Sequence, residues 1–348
     1  MKNFKEALTY DDVLLTPQYS DIKSRKQIKI KNLLDNNICL DLPIISSPMD
    51  TVTETKMAIA MAKAGGLGII HRYNTIKDQS KMVRRVHEEL SKYLTTPQIG
   101  AAIGVSNDYW LRAASLVNAG ATILCIDVAH GHHILVEKAI KTLRGMFHDD
   151  VHIMAGNVAT AKGFYQLGQW GADSVRCNVG GGSICSTRVQ TGHGVPGLQT
   201  IMECANINPF KVKIIADGGI RTSGDAVKAL AAGADFIMLG SLLAGTDEAP
   251  GETLVGNHGT KEKVYRGMAS KEAQFDWKNE YSSNEGISTR IPYRGKVAMI
   301  LADLKNGMTS GLSYSGARTI RELQEKAHFI RQTEASQIES STHILGSK

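Results

Sequence analysis

Residues 122–156, TILCIDVAHGHHILVEKAIKTLRGMFHDDVHIMAG, contain a short apolar run, a helical pattern and a second apolar run. The two runs, TILCID (122–127) and VHIMAG (151–156), do not alternate between polar and apolar positions. That pattern is typical of parallel strands that are buried on both faces. The segment at 133–146 between them has the spacing of an amphipathic helix. This stretch therefore predicts a strand–helix–strand unit.

The same unit recurs along the chain. Eight short apolar runs, separated by polar turns and amphipathic segments, occupy 43–47, 67–71, 99–104, 122–127, 151–156, 173–179, 212–218 and 235–240. Eight strand–helix alternations predict a (β/α)8 TIM barrel, which is an α/β fold. A doubly wound parallel sheet is the competing interpretation, but it usually has fewer strands and a GxGxxG motif after the first. The sequence lacks that motif there, which favours the barrel.

The composition excludes several classes of protein. The 348 residues are 42% hydrophobic and 21% charged, with 34 glycines and 8 prolines, which is ordinary for a globular protein. The net charge of +6 comes from basic residues interleaved with acids, so a solvated surface explains it better than nucleic-acid binding does. No apolar run reaches the roughly 18 residues of a membrane span, and the N-terminus does not resemble a signal peptide. We therefore expect no membrane partner.

The cysteines and histidines indicate neither a disulfide framework nor a metal site. The five cysteines have no CxxC spacing, which is typical of reduced thiols in a cytoplasmic protein. Loop residues His130, His132 and His133 match no standard zinc pattern, so we expect no transition metal. Four cysteines and two tryptophans lie in or beside apolar or helical segments and are predicted to pack in the core: Cys39, Cys125, Cys177, Cys204, Trp110 and Trp170.

Two regions do not fit the repeat. Residues 1–40 precede the first barrel strand, and residues 245–295 form a polar, glycine-rich and weakly periodic insertion after the eighth. A long irregular insertion in a compact domain is usually a functional lid or is disordered. Since it follows the last strand, it is predicted to be a lid over the catalytic face. We predict one domain over 1–348.

A glycine-rich loop after the sixth run carries the clearest chemical signal. Its sequence, GGGSICSTR at 180–188, places Cys185 three residues after a glycine run and near Arg188. Glycines let main-chain groups approach a phosphate or a cation, and a nearby positive charge favours the nucleophilic thiolate. Such a loop therefore indicates nucleophilic catalysis. The alternative interpretation of the same sequence is a flexible loop in which the cysteine has no catalytic role.

Two further turns point to a phosphate. Asp217, Gly218 and Gly219 follow the seventh run, and Gly240 and Ser241 follow the eighth. Loops after these strands commonly bind phosphate in barrels, and an aspartate there can accept hydrogen bonds from ribose hydroxyls. Glycines in such turns can also be purely structural. Taken with the cysteine loop, the turns predict a nucleoside monophosphate as ligand.

These residues belong to a larger pattern that resembles the IMP dehydrogenase/GMP reductase family over nearly the whole chain. The matching motifs are LTYDDVLLTP (8–17), Met49-Asp50-Thr51, GGGSICSTR (180–188), IADGGIRTSGD (215–225), GSLLAGTDEAPGE (240–252), YRGM (265–268) and YSGARTIREL (314–323). The resemblance implies an oxidoreductase whose cysteine attacks purine C2. It also implies a nicotinamide cofactor, a homotetramer and a K⁺ ion.

Within the family, two reactions are possible. A dehydrogenase transfers hydride from IMP to NAD and then hydrolyses the adduct, which needs a group that activates water. In the family that group is an Arg–Tyr pair on the lid, and the segment from Met268 to Glu285 contains no arginine. No regulatory CBS module is inserted between Tyr73 and the third strand either. The resemblance is therefore closest to GMP reductase, which uses NADPH to convert GMP into IMP and ammonia.

Other features leave alternatives open. Ile184-Cys185 and the tail at 339–343 resemble dehydrogenases. Asn178 replaces a usual glycine of the cysteine loop, and Gly181 replaces a usual proline. Ser282 stands where reductases tend to have an arginine that contacts the base. An IMP dehydrogenase without the CBS module, a divergent purine-nucleotide reductase and a nucleotide-binding protein are the alternatives.

The resemblance also assigns roles to individual residues. Thr187 and Glu285 join Cys185 as catalytic groups, with Glu285 as a buried acid that passes a proton through the Thr187 hydroxyl. Substrate binding is expected from Met49, Ser183, Asp217, Gly218, Gly219, Gly240, Ser241, Tyr265, Gly267, Met268, Ala269, Ser282 and Gly286. Cofactor binding is expected from Asp127, Val128, Ala129, Asn157, Val179, Gly180 and Ser310. A K⁺ site is expected at Gly180, Gly182, Cys185 and Arg188, while a cofactor contact by lid residues Trp277 and Tyr281 stays open.

Overall fold

All eight predicted strands are present in a computed structural model, which describes residues 4–106, 108–256, 259–280, 284–340 and 342. The strands, numbered along the chain, are β1 (Val13–Leu15), β2 (Asn32–Leu33), β3 (Cys39–Leu40), β4 (Ile44–Ser46), β5 (Leu67–Ile70), β6 (Gly100–Ile103), β7 (Ile123–Asp127), β8 (His152–Val158), β9 (Ser174–Cys177), β10 (Lys213–Asp217), β11 (Phe236–Leu239), β12 (Leu254–Val255), β13 (Lys261–Arg266), β14 (Ser288–Pro292) and β15 (Phe329–Arg331). The helices are α1 (Thr55–Lys63), α2 (Ile76–Leu90), α3 (Tyr109–Asn118), α4 (Ile134–Phe147), α5 (Ala161–Trp170), α6 (Thr187–Thr191), α7 (Gly197–Ala205), α8 (Ser223–Ala231), α9 (Lys271–Lys278), α10 (Val297–Tyr314), α11 (Ile320–Lys326) and α12 (Glu334–Glu339).

Strands β4 to β11 form a closed parallel barrel. Each strand pairs with its neighbours in sequence, and β11 returns to pair with β4, with Ile237 opposite Ile44. Almost every residue of these strands is buried, because one face fills the barrel and the other packs beneath the helices. The (β/α)8 barrel predicted from the spacing of the apolar runs is confirmed.

The helices begin and end where the sequence signals them. Thr75, Thr160 and Thr222 each accept a hydrogen bond from a main-chain N–H in the first turn of α2, α5 and α8. An Ala-Gly pair ends α3 and α8, where Gly120 and Gly233 have positive φ angles of 108° and 113° directly after the C-cap alanines. Within the part of the chain that the structure describes, no helix is both long and apolar enough to cross a membrane.

The N-terminal segment closes one end of the barrel. Leu34, Ile38 and Leu40, on or beside the antiparallel pair β2–β3, pack into the apolar interior with barrel residues such as Phe236. Polar contacts attach this segment to the entry ends of the strands. Asp35 Oδ2 lies 2.7 Å from Nδ1 of the buried His152, the first residue of β8. The open face of the barrel is therefore the opposite one, where the strands end.

The lid segment at 245–295 is more regular than its sequence indicated. It contains the antiparallel sheet β12–β13–β14 and the helix α9. Half-exposed short strands carry little apolar periodicity, which is why the sequence showed only an irregular insertion. Buried Lys263 of β13 anchors the sheet, since its Nζ donates to the carbonyls of Thr246 at 3.0 Å and Ala249 at 2.5 Å.

Two core predictions were wrong. Cys39 is exposed, because it is the outward-facing residue of β3 while its neighbour Leu40 points into the barrel. Trp110 is 45% exposed, because it lies outside the buried face of α3. The other predicted packing residues behave as expected. Cys125, Cys177 and Cys204 are buried, and Trp170 packs against the core.

Removing Asp35 should destabilise the protein in a pH-dependent way. Burial raises the pKa of Asp35, but hydrogen bonds from His152 and from the Asn37 and Ile38 amides outweigh burial and hold it below its usual range. The stabilisation by the carboxylate is therefore present above the unfolded pKa and is lost as the pH falls through the folded pKa. We expect Asp35→Ala to lower the free energy of unfolding by about 1–3 kcal/mol at pH 7.

Urea denaturation between pH 3 and pH 7 measures this effect. The loss of stability caused by Asp35→Ala should become smaller toward pH 3, because the Asp35 carboxylate of the parent protein becomes protonated there and stops stabilising the fold. The matched control is Asp149→Ala, whose side chain is fully exposed, and it should change stability by less than about 0.5 kcal/mol. A penalty for Asp35→Ala that stays constant with pH contradicts the stabilising role of the charge.

Candidate active site

A cavity of about 460 Å³ lies at the carboxyl ends of the barrel strands, beneath the lid. This is the face at which barrel enzymes carry their active sites. The structure brings most of the residues selected from the sequence together around it: Met49, Asp127, Val128, Ala129, Asn157, Val179, Gly180, Gly182, Ser183, Cys185, Thr187, Asp217, Gly218, Gly219, Gly240, Ser241, Tyr265, Gly267, Met268, Ala269 and Glu285. Trp277, whose contact was left open, lines the cavity as well.

Cys185 lies in the loop after β9, with its side chain accessible from the cavity. Its Sγ is 3.2 Å from the Oγ1 of the buried Thr187, the first residue of α6. The Cys185 N–H donates to the Gly182 carbonyl at 3.1 Å, which turns the chain so that the thiol faces the cavity. A thiol with a hydroxyl at this distance can act as a nucleophile with a proton carrier beside it.

The lid is attached directly to this loop by main-chain hydrogen bonds. The Ser186 N–H donates to the Glu285 carbonyl, and the Ile287 N–H donates to the Ile184 carbonyl, both at 3.0 Å. Cys185 and Gly286 thus form an antiparallel bridge. Glu285 lines the cavity, but it is half-buried rather than buried as the sequence-based expectation had it. The reason is its position at the edge of the lid, where one side remains open.

The turns after β10 and β11 form a narrow end of the cavity. Gly218 and Gly219 both have positive φ angles, 81° and 78°, which only glycine adopts readily. A Cβ at Gly240 would lie 3.1 Å from Met49 Sδ and from Tyr265 Oη, so a side chain there would have to displace one of these two neighbours. Burial raises the pKa of the Tyr265 phenol, although a hydrogen bond with Ser183 offsets part of the rise. Such a site offers main-chain N–H groups and neutral hydroxyls, which suits a phosphate.

The floor of the cavity contains a buried ion-pair network. Arg176 of β9 contacts Asp127 at the end of β7 at 2.6 Å and Asp217 at the end of β10 at 2.8 Å. Burial lowers the pKa of Arg176, but the nearby anionic groups, Asp217 first, outweigh it and hold the pKa well above the usual value. Asn157 completes the network, because its Nδ2 donates to Asp217 Oδ2 at 2.7 Å.

Sequence reasoning selected Asp127, Asn157 and Asp217 but missed Arg176. The available signal was a charged residue within the otherwise apolar run DSVRCNV at 173–179. A buried charge is tolerated only where opposite charges accompany it. An arginine in a buried strand therefore implies carboxylates at the ends of neighbouring strands, and two had already been selected.

A second set of contacts holds the lid over the cavity. Arg266 of β13 contacts Asp50 Oδ2 at 2.7 Å and Asp276 Oδ2 on α9 at 2.5 Å. The rings of Tyr73 and Trp277 stack, with centroids 6.0 Å apart and planes 18° from parallel. Arg266 and Tyr73 were not selected as site residues. Their partners, Asp50 and Trp277, lie more than 200 positions away in the chain, and the local sequence does not indicate such distant contacts.

Four selected residues lie away from the cavity lining or outside the described part of the chain. Ser310 is on α10, which packs against α8 on the outside of the barrel. Gly286 is not part of the cavity lining, and its contact with Cys185 is the main-chain bridge between the two residues. The Arg188 guanidinium donates to the carbonyls of Val179 and Val195 and lines a smaller neighbouring cavity. Ser282, like Tyr281, lies outside the described residues.

Removing Arg176 should destabilise the protein strongly. Arg176→Met keeps much of the volume but leaves the carboxylates of Asp127 and Asp217 without their shared partner. Breaking a buried pair in this way costs about 3–5 kcal/mol. We expect that loss in the free energy of unfolding, measured by urea denaturation. Arg321→Met, at a side chain 87% exposed, is the control and should have little effect, whereas equal losses in the two variants would contradict the network.

Comparisons with known proteins agree with this geometry. The model of the IMP dehydrogenase/GMP reductase domain matches residues 7–343. An inosine-5'-monophosphate dehydrogenase from Nitrosopumilus maritimus is 37% identical, with 98% of each chain covered. A GMP reductase from Leishmania donovani is 34% identical, with 98% of this chain and 97% of the relative covered.

A solved structure is similar over the same extent. It is a GMP reductase from Trypanosoma brucei in complex with guanosine 5'-monophosphate, and it has a TM-score of 0.92 at 32% identity, with 98% of each chain covered. Relatives with both names thus match almost the entire chain at similar identity. The chain therefore belongs to the IMP dehydrogenase/GMP reductase family of oxidoreductases.

Proposed function

We propose that this protein is a GMP reductase, which converts GMP and NADPH into IMP, ammonia and NADP⁺. One observation carries the proposal: the Cys185–Thr187 pair, at 3.2 Å, shares its cavity with a lid acid, Glu285. The lid segment from Met268 to Glu285 supplies no arginine that could activate water. The site therefore has a nucleophile and a proton source, which deamination needs, and lacks the base on which hydrolysis in this family depends.

The proposed chemistry begins at purine C2. The Cys185 thiolate adds to C2 of GMP, and the C2–N bond breaks as the amino group takes a proton and leaves as ammonia. Glu285 supplies that proton through the Thr187 hydroxyl, since an unprotonated amide anion would be a very poor leaving group. NADPH, when bound, supplies a hydride to C2. The C–S bond then breaks, which releases IMP and regenerates the thiolate.

The narrow end of the cavity is proposed to bind the nucleotide. Its phosphate would be held by Ser183, Gly219, Gly240, Ser241 and Tyr265. Among the described residues, the contacts of Asp217 fall on Oδ2, which leaves Oδ1 to accept from the ribose hydroxyls. The base would be held by Met49, Gly218 and the lid residues Gly267, Met268, Ala269, Ser282 and Gly286.

The opposite side of the cavity is proposed to hold the cofactor. Asp127, Val128, Ala129, Asn157, Val179 and Gly180 would contact it, with Ser310 as a further candidate. Carboxylate and amide oxygens there suit ribose and carboxamide donors, and the Tyr73–Trp277 stack offers a flat aromatic surface to a planar ring. The carbonyls of Gly180, Gly182, Cys185 and Arg188 are proposed to bind K⁺, for which oxygen ligands are suited.

The further organisation is proposed on the same basis. The chain would act as one barrel domain over 1–348, with the lid at 245–295 and no CBS module, in a cytoplasmic homotetramer. The second candidate function is IMP dehydrogenase, which oxidises IMP with NAD and water to XMP. The 37% identity to an inosine-5'-monophosphate dehydrogenase favours it, together with the Ile184-Cys185 pair.

An absorbance assay of the reduced nicotinamide distinguishes the two reactions. GMP with NADPH should lose the reduced-cofactor signal, with ammonia released in equal amount, whereas IMP with NAD should gain none. Cys185→Ser should abolish the signal change while GMP affinity stays within about threefold, because a hydroxyl is a far weaker nucleophile than a thiolate. Production of XMP and reduced cofactor from IMP would establish the dehydrogenase instead.

The proton relay makes a separate prediction. Glu285→Gln keeps the shape of the side chain but cannot cycle a proton, so we expect GMP reduction to slow by about 100-fold or more. GMP affinity, measured by calorimetry, should change only a few fold. Thr187→Val should have a similar effect, while Glu262→Gln on the outer part of the lid serves as the control. Near-parental rates in both Glu285→Gln and Thr187→Val would exclude the relay.

A further inference from the structure

Asn178 directly follows the end of β9 in an unusual backbone conformation. Its φ angle is 139°, in the region that favours glycine, although the residue is an asparagine. The residue is also buried. A strained residue persists only where its surroundings hold it in place. Here every polar group of Asn178 has a partner. Its N–H donates to the Val158 carbonyl at 2.8 Å, and its carbonyl accepts from Asn157 at 3.1 Å.

The Asn178 side chain joins two loops that lie on different strands. Its Nδ2 donates to the Gly218 carbonyl at 3.4 Å, in the turn after β10. Its Oδ1 accepts from the Arg188 guanidinium at 3.3 Å, and that guanidinium also donates to the Val179 carbonyl at 3.2 Å in the Cys185 loop. The amide of Asn178 is thus inserted between the loop that holds the thiol and the turn proposed to hold the phosphate.

Gly181 is a glycine because of this insertion. A Cβ at Gly181 would lie 2.6 Å from Asn178 Cγ and Oδ1 and closer still to Nδ2. The φ angle of Gly181 is outside the left-handed region, unlike that of Gly180 at 77°, so its backbone conformation does not require glycine. The space taken by the Asn178 amide is therefore what excludes a side chain at position 181.

The same contacts set the separation of the two loops. A Cβ at Gly219 would lie 3.3 Å from the Gly181 carbonyl oxygen, and one at Gly218 would lie 3.4 Å from Gly182 Cα. The loop and the turn are therefore in close contact, with the Asn178 amide beside them. The Asn178 amide thus acts as a spacer between the Cys185 loop and the Gly218-Gly219 turn. A change in its volume would be expected to shift Cys185 relative to a nucleotide bound at the turn.

We propose that Asn178 is a positioning residue that sets the distance between the Cys185 thiol and the C2 carbon of the bound nucleotide, with Gly181 as its obligatory partner. The inference rests on the proposed role of Cys185 but not on the direction of the reaction. A misplacement of about 1 Å in a reacting group can cost about 100-fold in rate. Substrate affinity depends less on this distance, since the phosphate turn itself stays intact.

A double-mutant cycle tests the proposal on the full-length protein. The variants are Asn178→Gly, Gly181→Ala and the combination, with Gly145→Ala as control because a Cβ there meets no atom within 4 Å. Three quantities are measured: kcat of whichever reaction the parent catalyses, the GMP dissociation constant, and the rate at which iodoacetamide alkylates Cys185. Peptide mass spectrometry separates Cys185 from exposed Cys39, at the opposite end of the barrel, which is the internal reference.

In the parent protein, Gly181→Ala should lower kcat by about tenfold or more. In the Asn178→Gly variant, the same substitution should lower kcat by less than about threefold, because the side chain that the new Cβ would meet is gone and residues in direct contact are coupled. Asn178→Gly alone should lower kcat and change the alkylation rate of Cys185 relative to Cys39, with GMP affinity within about threefold. Equal penalties for Gly181→Ala in both backgrounds would overturn the proposal. So would an Asn178→Gly variant with parental kcat, or one whose affinity and melting temperature fall in step with kcat.

The proposed function can fail separately from this inference. If Cys185→Ser retains turnover, the thiol is not the nucleophile and the proposed reaction is wrong. The alkylation rates of the four proteins still report whether the Asn178 amide and position 181 compete for the same space. Identical alkylation rates of Cys185 in the parent, the two single variants and the double variant would overturn the proposal that the Asn178 amide positions the Cys185 loop.

Discussion

A single buried guanidinium organises the mouth of this barrel. Arg176 points from β9 into the space where the strands end, and it is bonded to carboxylates from β7 and β10. Each of these charges would be costly to bury alone, and pairing them offsets that cost at the floor of the cavity. The network therefore fixes three strand ends relative to one another. Asp127 and Asp217, on its two sides, lie where the cofactor and the ribose are proposed to bind.

The two ends of the barrel differ because different chain segments cover them. At the entry end, the hairpin around Leu34 and Ile38 fills the interior with apolar side chains. At the exit end, glycine turns and the ion-pair network leave a cavity beneath the lid that both polar and apolar groups line. The sealed end contributes stability and the open end contributes chemistry, which is the usual division in barrels. The position of Cys185 at the open end follows from its place after β9.

The lid is part of the site as well as its cover. Its inner edge pairs through the main chain with the Cys185 loop, and its outer part is tied to the barrel by Arg266 and Asp50. Any movement of the lid therefore acts on the loop that carries the thiol. The proposed nucleophile would serve either reaction, so the proposal of a GMP reductase depends on the lid. A half-buried Glu285 that shares the cavity with Thr187 suits proton transfer, and the lid segment from Met268 to Glu285 has no arginine that could activate water.

The sequence alone determined the barrel, the helix ends, the cysteine loop and the glycine turns, because each depends on residues close together in the chain. Apolar runs, Ala-Gly endings and turn glycines act within a few positions, and the strand order then places Cys185 and Asp217 on one face. Only the tertiary structure revealed the partners of Arg176, the contact between Arg266 and Asp50 across 216 positions, and the exposure of Cys39. It also placed Ser310 on the outer layer and showed the lid as a sheet. These features depend on which distant segments come together, and local periodicity carries no information about that.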